Sequence, residues 1–124
     1  LTLNSPVSCL RRLSKETLAN VVQLTLWDRF DDQVNDVEWP SLLQRLTFDS
    51  LFDQTLDGVV WPVSLQHLTF GDYFNQTLDR VLWPVSLQHL TFGDNFKQAI
   101  DGVVWPASLQ QLNFGFCFNQ AIDG

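Results

Sequence analysis

The sequence WPVSLQHLTFGD runs from Trp61 to Asp72 and recurs without change from Trp83 to Asp94, 22 residues later. The same offset aligns seven apolar columns along most of the chain, including the leucines 24, 46, 68, 90 and 112 and the phenylalanines 30, 52, 74, 96 and 118. A unit this short cannot bury such a stripe alone, whereas stacked copies form a continuous core. The repeat therefore predicts a solenoid.

Each unit contains one candidate strand and two candidate turns. Leu68-Thr69-Phe70 alternates apolar and polar residues, which predicts a short strand with Leu and Phe facing inward. Trp61-Pro62 ends an apolar run, and Asp57-Gly58 is a turn sequence. Because the copies lie in register, their strands should form one parallel sheet at a spacing of about 4.8 Å.

The periodicity predicts a single repeat domain over residues 1–124. Residues 17–124 hold about five 22-residue repeats, and residues 1–16 are less regular. Leu1-Thr2-Leu3 echoes Leu24-Thr25-Leu26, so we interpret residues 1–16 as a degenerate coil. A capping helix from about Pro6 to Ala19 is the alternative.

Composition limits the classes of partner. The net charge is −7, with only seven Lys and Arg, which disfavours nucleic acid and anionic membrane surfaces and favours a protein partner. Apolar runs are too short for a membrane-spanning helix. Cys9 and Cys117 lie near opposite ends of the repeat array, so we expect two free thiols.

The unit L-x-x-L-x-F-G-x-x-F-N-Q-x-[LI] resembles the FNIP repeat, a 22-residue relative of the leucine-rich repeats. It occurs as LQHLTFGDYFNQTL (65–78), LQHLTFGDNFKQAI (87–100) and LQQLNFGFCFNQAI (109–122). The resemblance implies a repeat solenoid: a leucine-rich-repeat-like arc with short parallel β-strands on its concave face and turns or 3₁₀ segments on its convex face. Such repeats, abundant in protists including algae, usually serve as binding or scaffolding modules. Asp53 and Lys97 depart from the Asn column, which argues against an Asn ladder through most of the chain.

Residues that recur in every coil are explained by stacking, so specific function should lie in the columns that vary. We predict three outward columns on the concave face: 23/45/67/89/111, 25 to 113, and 27/49/71/93/115. A further irregular column, 29/51/73/95/117, follows the strand. The candidate partner-binding residues are Trp27, Arg45, His67, His89, Gln111, Tyr73 and Asn95.

No pattern of catalytic residues occurs, and we predict neither enzyme activity nor a cofactor. His67 and His89 could hold a metal with a third ligand, although a polar ladder is the simpler interpretation. The aspartate column 57/79/101/123 could bind Ca²⁺ or could cap its own turns. The serines 64, 86 and 108 are expected to bond backbone, and the Trp-Pro tryptophans are expected to form a corner of the core.

The C-terminal coil is expected to expose an apolar edge at which another chain could stack: Leu112, Phe114, Phe118 and Ile122. Two functions follow from this sequence. The first is a protein-interaction or scaffolding module that binds through the concave face. The alternative is a structural subunit, or a fragment, of a larger assembly held through its uncapped ends, for which the family's distribution suggests a membrane-associated algal complex.

Overall fold

The repeats stack as the 22-residue period predicts. A computed structural model describes residues 2–5 by their backbone, together with residues 20–26, 34 and 37–118. Six strands pair in chain order in one parallel sheet. They are β1 (Thr2–Ser5), β2 (Gln23–Leu26), β3 (Arg45–Phe48), β4 (His67–Thr69), β5 (His89–Thr91) and β6 (Gln111–Asn113). The described part of the chain contains no helix, and none of its segments meets the length and hydropathy of a membrane-spanning helix.

The register from β2 to β6 follows the repeat. Leu46, Leu68 and Leu90 pair in sequence and are at most 1% exposed. This confirms that each coil presents the same side chains to the coil before it. Burial of such aliphatic side chains stabilises a fold by about 1.5–3 kcal/mol each.

The N-terminal strand belongs to the sheet, but in a different register from the one predicted. Leu3, not Leu1, pairs with Leu24, and Ser5 pairs with Leu26. The predicted register was wrong by two residues, a slip that leaves the inward and outward sides of a strand unchanged and that periodicity therefore cannot detect. Residues 6–19, where a capping helix was the alternative, lie outside the described residues.

Aromatic columns run through the core beside the aliphatic ones, and their spacing shows which side of the solenoid is concave. Between the same two coils, ring centroids are 4.4 Å apart for His67–His89, 5.4 Å for Phe70–Phe92, 6.2 Å for Phe74–Phe96 and 6.5 Å for Trp61–Trp83. The coils therefore converge on the strand side and diverge on the tryptophan side. The sheet forms the concave face of an arc, as predicted.

The Trp-Pro segments form the predicted corner of the core. Trp61 and Trp83 are 6% and 8% exposed, and their stack continues to Trp39 and Trp105. Within the described residues, the indole Nε1 atoms of Trp39, Trp61 and Trp83 are buried without an acceptor. Burying an indole N–H without an acceptor destabilises the fold. Ring packing contributes about 0.5–1.5 kcal/mol per pair, which offsets part of this destabilisation.

Besides the turn that follows the strand, two tight turns recur from coil to coil in the described residues. Leu65 N–H donates to Pro62 O at 3.1 Å, and Val59 N–H donates to Leu56 O at 3.2 Å, with equivalent bonds in the next two coils. Gly58 has a φ of 79° and Gly102 does not take a left-handed conformation. The turn is thus a property of the repeat, whereas positive φ is not required in every copy.

A polar ladder connects the coils beyond the strands. Asp53 Oδ1 accepts from Asn75 N–H at 2.9 Å and from Gln76 Nε2 at 2.9 Å. Asn75 Oδ1 then accepts from Lys97 N–H at 3.1 Å and Gln98 Nε2 at 3.0 Å. Our expectation that Asp53 would weaken the ladder was wrong, because the position needs only an acceptor oxygen and a carboxylate supplies it.

Candidate functional site

The concave face carries a continuous row of polar side chains, which we call the concave row: Gln23, Arg45, His67, His89 and Gln111. Each member opens its strand and precedes a buried leucine, except in β6, where Leu112 is half-buried. Because successive side chains of a strand point to opposite faces, the residue before the inward leucine faces outward. In-register pairing then aligns the five residues across the sheet.

The two histidines at the centre of the row are stacked. Their ring planes are 3° from parallel. His89 Nδ1 lies 3.0 Å from Gln111 Oε1, a geometry in which Nδ1–H donates. Burial lowers the pKa of His67 below 6.5, and the positive charges of Arg45 and His89 lower that pKa further. The lowered pKa favours the neutral imidazole of His67 near pH 7, and Arg45 lies beside it on the adjacent strand.

A second outward row consists of Thr25, Thr47, Thr69, Thr91 and Asn113. Asn113 Nδ2 donates to Thr91 Oγ1 at 3.4 Å, so the row is linked by side-chain bonds at its C-terminal end. No acidic residue occurs in either row. The centre of the concave face is thus neutral to positive in a chain whose net charge is −7.

The third outward column does not present side chains in its last three positions. Positions 71, 93 and 115 are glycines, and a Cβ atom at Gly93 would lie 2.3 Å from Gly71 O of the preceding coil. The predicted outward column therefore carries no side chain at these three positions, where the glycines let successive coils approach closely. Trp27, the predicted anchor at the head of this column, lies outside the described residues.

Tyr73 and Asn95 form a separate group in the turns after the strands. Tyr73 N–H donates to Ser50 O at 2.8 Å, and Asn95 N–H donates to Asp72 O at 2.9 Å, so backbone bonds align them. The tyrosine side chain is 55% exposed. The structure therefore brings four predicted residues together in the concave row and places these two beyond the strand ends.

The last described coil is less buried than the coil before it. Leu112, Phe114 and Phe118 are partly buried, whereas Leu90 and Phe96 in the preceding coil are 0% exposed. Ile122, the fourth residue predicted at this edge, lies outside the described residues. Cys117 is a free, exposed thiol, and Cys9 is likewise outside the described part.

The recurrent serine hydroxyls have structural partners, whereas the carboxylate of Asp57 does not cap its turn. Ser64, Ser86 and Ser108 each donate to a carbonyl of the preceding coil at 2.6–2.7 Å, which confirms their predicted structural role. Predicting that Asp57 caps its turn was wrong: in the described region its buried Oδ1 accepts no bond, and its N–H instead donates to Thr55 Oγ1 at 3.2 Å. Among residues 20–26, 34 and 37–118, no three His, Cys, Asp or Glu side chains lie together as a metal site.

One exposed feature was missed by the sequence reasoning. Val60, Leu82 and Val104 flank the tryptophans and are 80%, 83% and 85% exposed. A signal for them was available, because these positions are apolar in three consecutive coils yet belong to none of the seven inward columns.

Comparison with known proteins agrees with this architecture. The FNIP Repeat family model matches residues 52–82 and 74–117, more than half of the chain. No curated protein matches the chain. Among solved structures, the chain is similar to CroV588, described as a novel circular LRR protein, with 42% identity and a TM-score of 0.75 over 85% of this chain. The matched region is 16% of the CroV588 chain, so this chain spans about a sixth of that protein's length. The repeat, the in-register parallel sheet and the family match together establish that the chain belongs to the FNIP repeat family.

Proposed function

We propose that the chain is a protein-interaction module that binds an extended segment of another protein on its concave face. The observation that carries the proposal is the concave row, in which Arg45, His67, His89 and Gln111 align on four adjacent strands. A rigid row of side chains that crosses four strands can contact several residues of an extended peptide lying along it. Arg and aromatic anchors supply most of the energy of such contacts.

Charge defines the kind of segment that fits. The two concave rows hold one guanidinium and two imidazoles, with no carboxylate among them. Acceptor-rich partners, with Asp, Glu or exposed carbonyl groups, can pair with the guanidinium of Arg45 and with the ring N–H of His67. We therefore propose an acidic or acceptor-rich peptide rather than a basic one for this face.

The experiment is selection of binders from a random-peptide phage library, followed by affinity measurement of synthetic peptides. The test variant carries Arg45→Gln, His67→Gln and His89→Gln, which extends the glutamines already present at positions 23 and 111. The control carries Leu51→Ser and Phe116→Ser, two exposed apolar residues outside the concave row. Affinity should fall at least about tenfold in the test variant, or about 1.4 kcal/mol, and remain within about twofold in the control. Unchanged affinity in the test variant would exclude the concave row as the binding site.

A second candidate function is structural, with the chain held in a larger assembly through its last coil. It is favoured by the partial burial of Leu112, Phe114 and Phe118, whose equivalents in the preceding coil are fully covered. Sedimentation velocity separates the two functions. A monomer that stays soluble favours the free module, whereas self-association abolished by Phe114→Ser favours assembly through the last coil.

A further inference from the structure

An exposed aliphatic strip crosses three coils on the tryptophan side of the solenoid. It consists of Val60, Leu82 and Val104, with Val63 and Val85 on the other side of the Trp-Pro pairs. All five are at least 78% exposed. The chain alternates here, so that Val59 and Trp61 face inward and Val60 between them faces solvent. Contiguous apolar surface of this kind marks interaction sites on soluble domains.

The strip is continuous because the coils beneath it are stacked in register. The rings of Trp61, Trp83 and Trp105 repeat at 5.9–6.5 Å, which sets the spacing of the side chains that flank them. Open grooves lie beside the strip, one of about 510 Å³ against Val60 and Val63 and one of about 300 Å³ against Leu82, Val85 and Val104. These grooves can receive aliphatic side chains of a partner.

The fold itself does not require aliphatic residues at these positions. In the preceding coil the equivalents of Val60 and Val63 are Glu38 and Ser41, both exposed, while Trp39 still stacks on Trp61. Polar residues are therefore compatible with the same backbone path. The aliphatic residues at these positions in the next three coils need another explanation, and contact with a partner supplies one.

An acidic border runs beside the strip and restricts the partner. Asp57, Asp79 and Asp101 each precede a strip residue by three positions, within about 10 Å along the chain. Asp79 and Asp101 are exposed, and Asp57 is half-buried. Arg80 is the one cation in these turn segments, and the serines on the other side are uncharged. A second copy of the chain would bring two acidic borders together, with a net charge of −7 on each chain.

We infer that the aliphatic strip docks an amphipathic segment of another protein, one that presents aliphatic side chains to the strip and Lys or Arg side chains to the acidic border. This surface is separate from the concave row, and it favours a basic partner where the concave row favours an acidic one. The chain thus has two faces, one for acceptor-rich and one for basic amphipathic partners.

The test measures binding of a fluorescent amphipathic peptide of leucine and lysine to the full chain. Two further peptides replace lysine by glutamate or leucine by serine. The strip variant carries Val60→Ser and Leu82→Ser, which remove apolar surface without changing charge. Its matched control is Leu51→Ser with Phe116→Ser, and a third variant carries the Gln substitutions of the concave row.

The leucine–lysine peptide should bind at least about tenfold more weakly to the strip variant and within about twofold of wild type to the control and concave variants. Asp57→Asn, Asp79→Asn and Asp101→Asn together should weaken binding and reduce its salt dependence. Both substituted peptides should bind at least about tenfold more weakly than the leucine–lysine peptide.

Several results would overturn the inference. These are absence of leucine–lysine binding, equal binding of the glutamate or serine peptide, unchanged binding by the strip variant, and loss of binding in the concave variant alone. Self-association of wild type that disappears in the strip variant would identify a second copy as the occupant instead. The concave-row proposal is tested by different peptides and a different variant, so either proposal can fail without the other.

Discussion

Substitution of Gly93 by alanine tests how closely the coils approach one another. A Cβ atom there would lie 2.3 Å from Gly71 O, 2.5 Å from Gly71 C and 2.7 Å from Asp72 Cα. All three are backbone atoms of the preceding coil, so no side-chain rotation relieves the contact. Because ordinary contacts begin near 3.4 Å, the two coils must separate locally by about 1 Å.

That separation has an energetic cost that can be worked from the contacts. Overpacking of a close contact costs about 1–3 kcal/mol. The adjacent bond from Asn95 N–H to Asp72 O, now 2.9 Å, would leave hydrogen-bonding range, a further loss of about 0.5–1.5 kcal/mol. We therefore expect Gly93→Ala to lower the free energy of unfolding by about 2–4 kcal/mol.

The assay is urea unfolding followed by tryptophan fluorescence, with Gly102→Ala as the matched control. A Cβ at Gly102 would have its nearest contact at 3.6 Å, with the Asp79 carboxylate, and its φ is not left-handed. The control should change the free energy of unfolding by less than about 1 kcal/mol, since alanine restricts the unfolded chain without creating a close contact in the folded one. If the free energies of unfolding of the two variants differ by less than about 0.5 kcal/mol, the coils do not approach each other as closely at the glycine column as the structure indicates.

Three further predictions concern the core, the ladder and the histidines. Phe74→Ala, at a fully buried ring, should lower the free energy of unfolding by about 3–5 kcal/mol in urea, whereas Phe116→Ala, at a side chain 94% exposed, should change it by less than about 0.5 kcal/mol. Asn75→Ala removes the side-chain oxygen that accepts from Lys97 N–H and is one of two acceptors of Gln98 Nε2, and it should cost about 1–3 kcal/mol in the same assay. Asn75→Asp keeps this oxygen and should cost less than Asn75→Ala. Because the pKa of His67 is lowered in the folded chain, its contribution to stability is present above about pH 6.5 and is lost as pH falls toward the folded-state pKa. Melting temperatures from about pH 7 to about pH 5 should therefore decline less steeply for His67→Gln than for wild type, and equal slopes would contradict this assignment.

The arc of stacked coils was predictable because equivalent residues of successive repeats are always 22 positions apart in the chain. Any residue 22 positions after another occupies the same place in the next coil, so aligned leucines such as Leu46 and Leu68 had to meet if the units stacked. The same reasoning aligned Arg45, His67, His89 and Gln111 before their geometry was known. The periodic part of the candidate site therefore followed from the sequence.

The sequence did not predict two features, which are the register of the irregular N-terminal strand and the polar ladder. Leu1 and Leu3 both satisfy the inward pattern, and only the hydrogen-bonded pairing with Leu24 distinguishes them. At Asp53 a departure from the asparagine column suggested a broken ladder, but the surrounding donors need only an oxygen. Residue type alone does not say which of an amide's atoms the fold uses.

By itself the sequence determined the period, the inward columns and the row of outward polar residues, because these depend only on spacing along the chain. Tertiary structure decided which outward columns carry accessible side chains, and therefore where a partner can bind. Gly93 closes one such column against the backbone of the preceding coil, while Val60 and Leu82 remain in solvent beside a buried tryptophan stack. Those outcomes depend on how closely the coils approach on the strand side and how far they diverge on the tryptophan side, distances set by three-dimensional packing rather than by the order of residues.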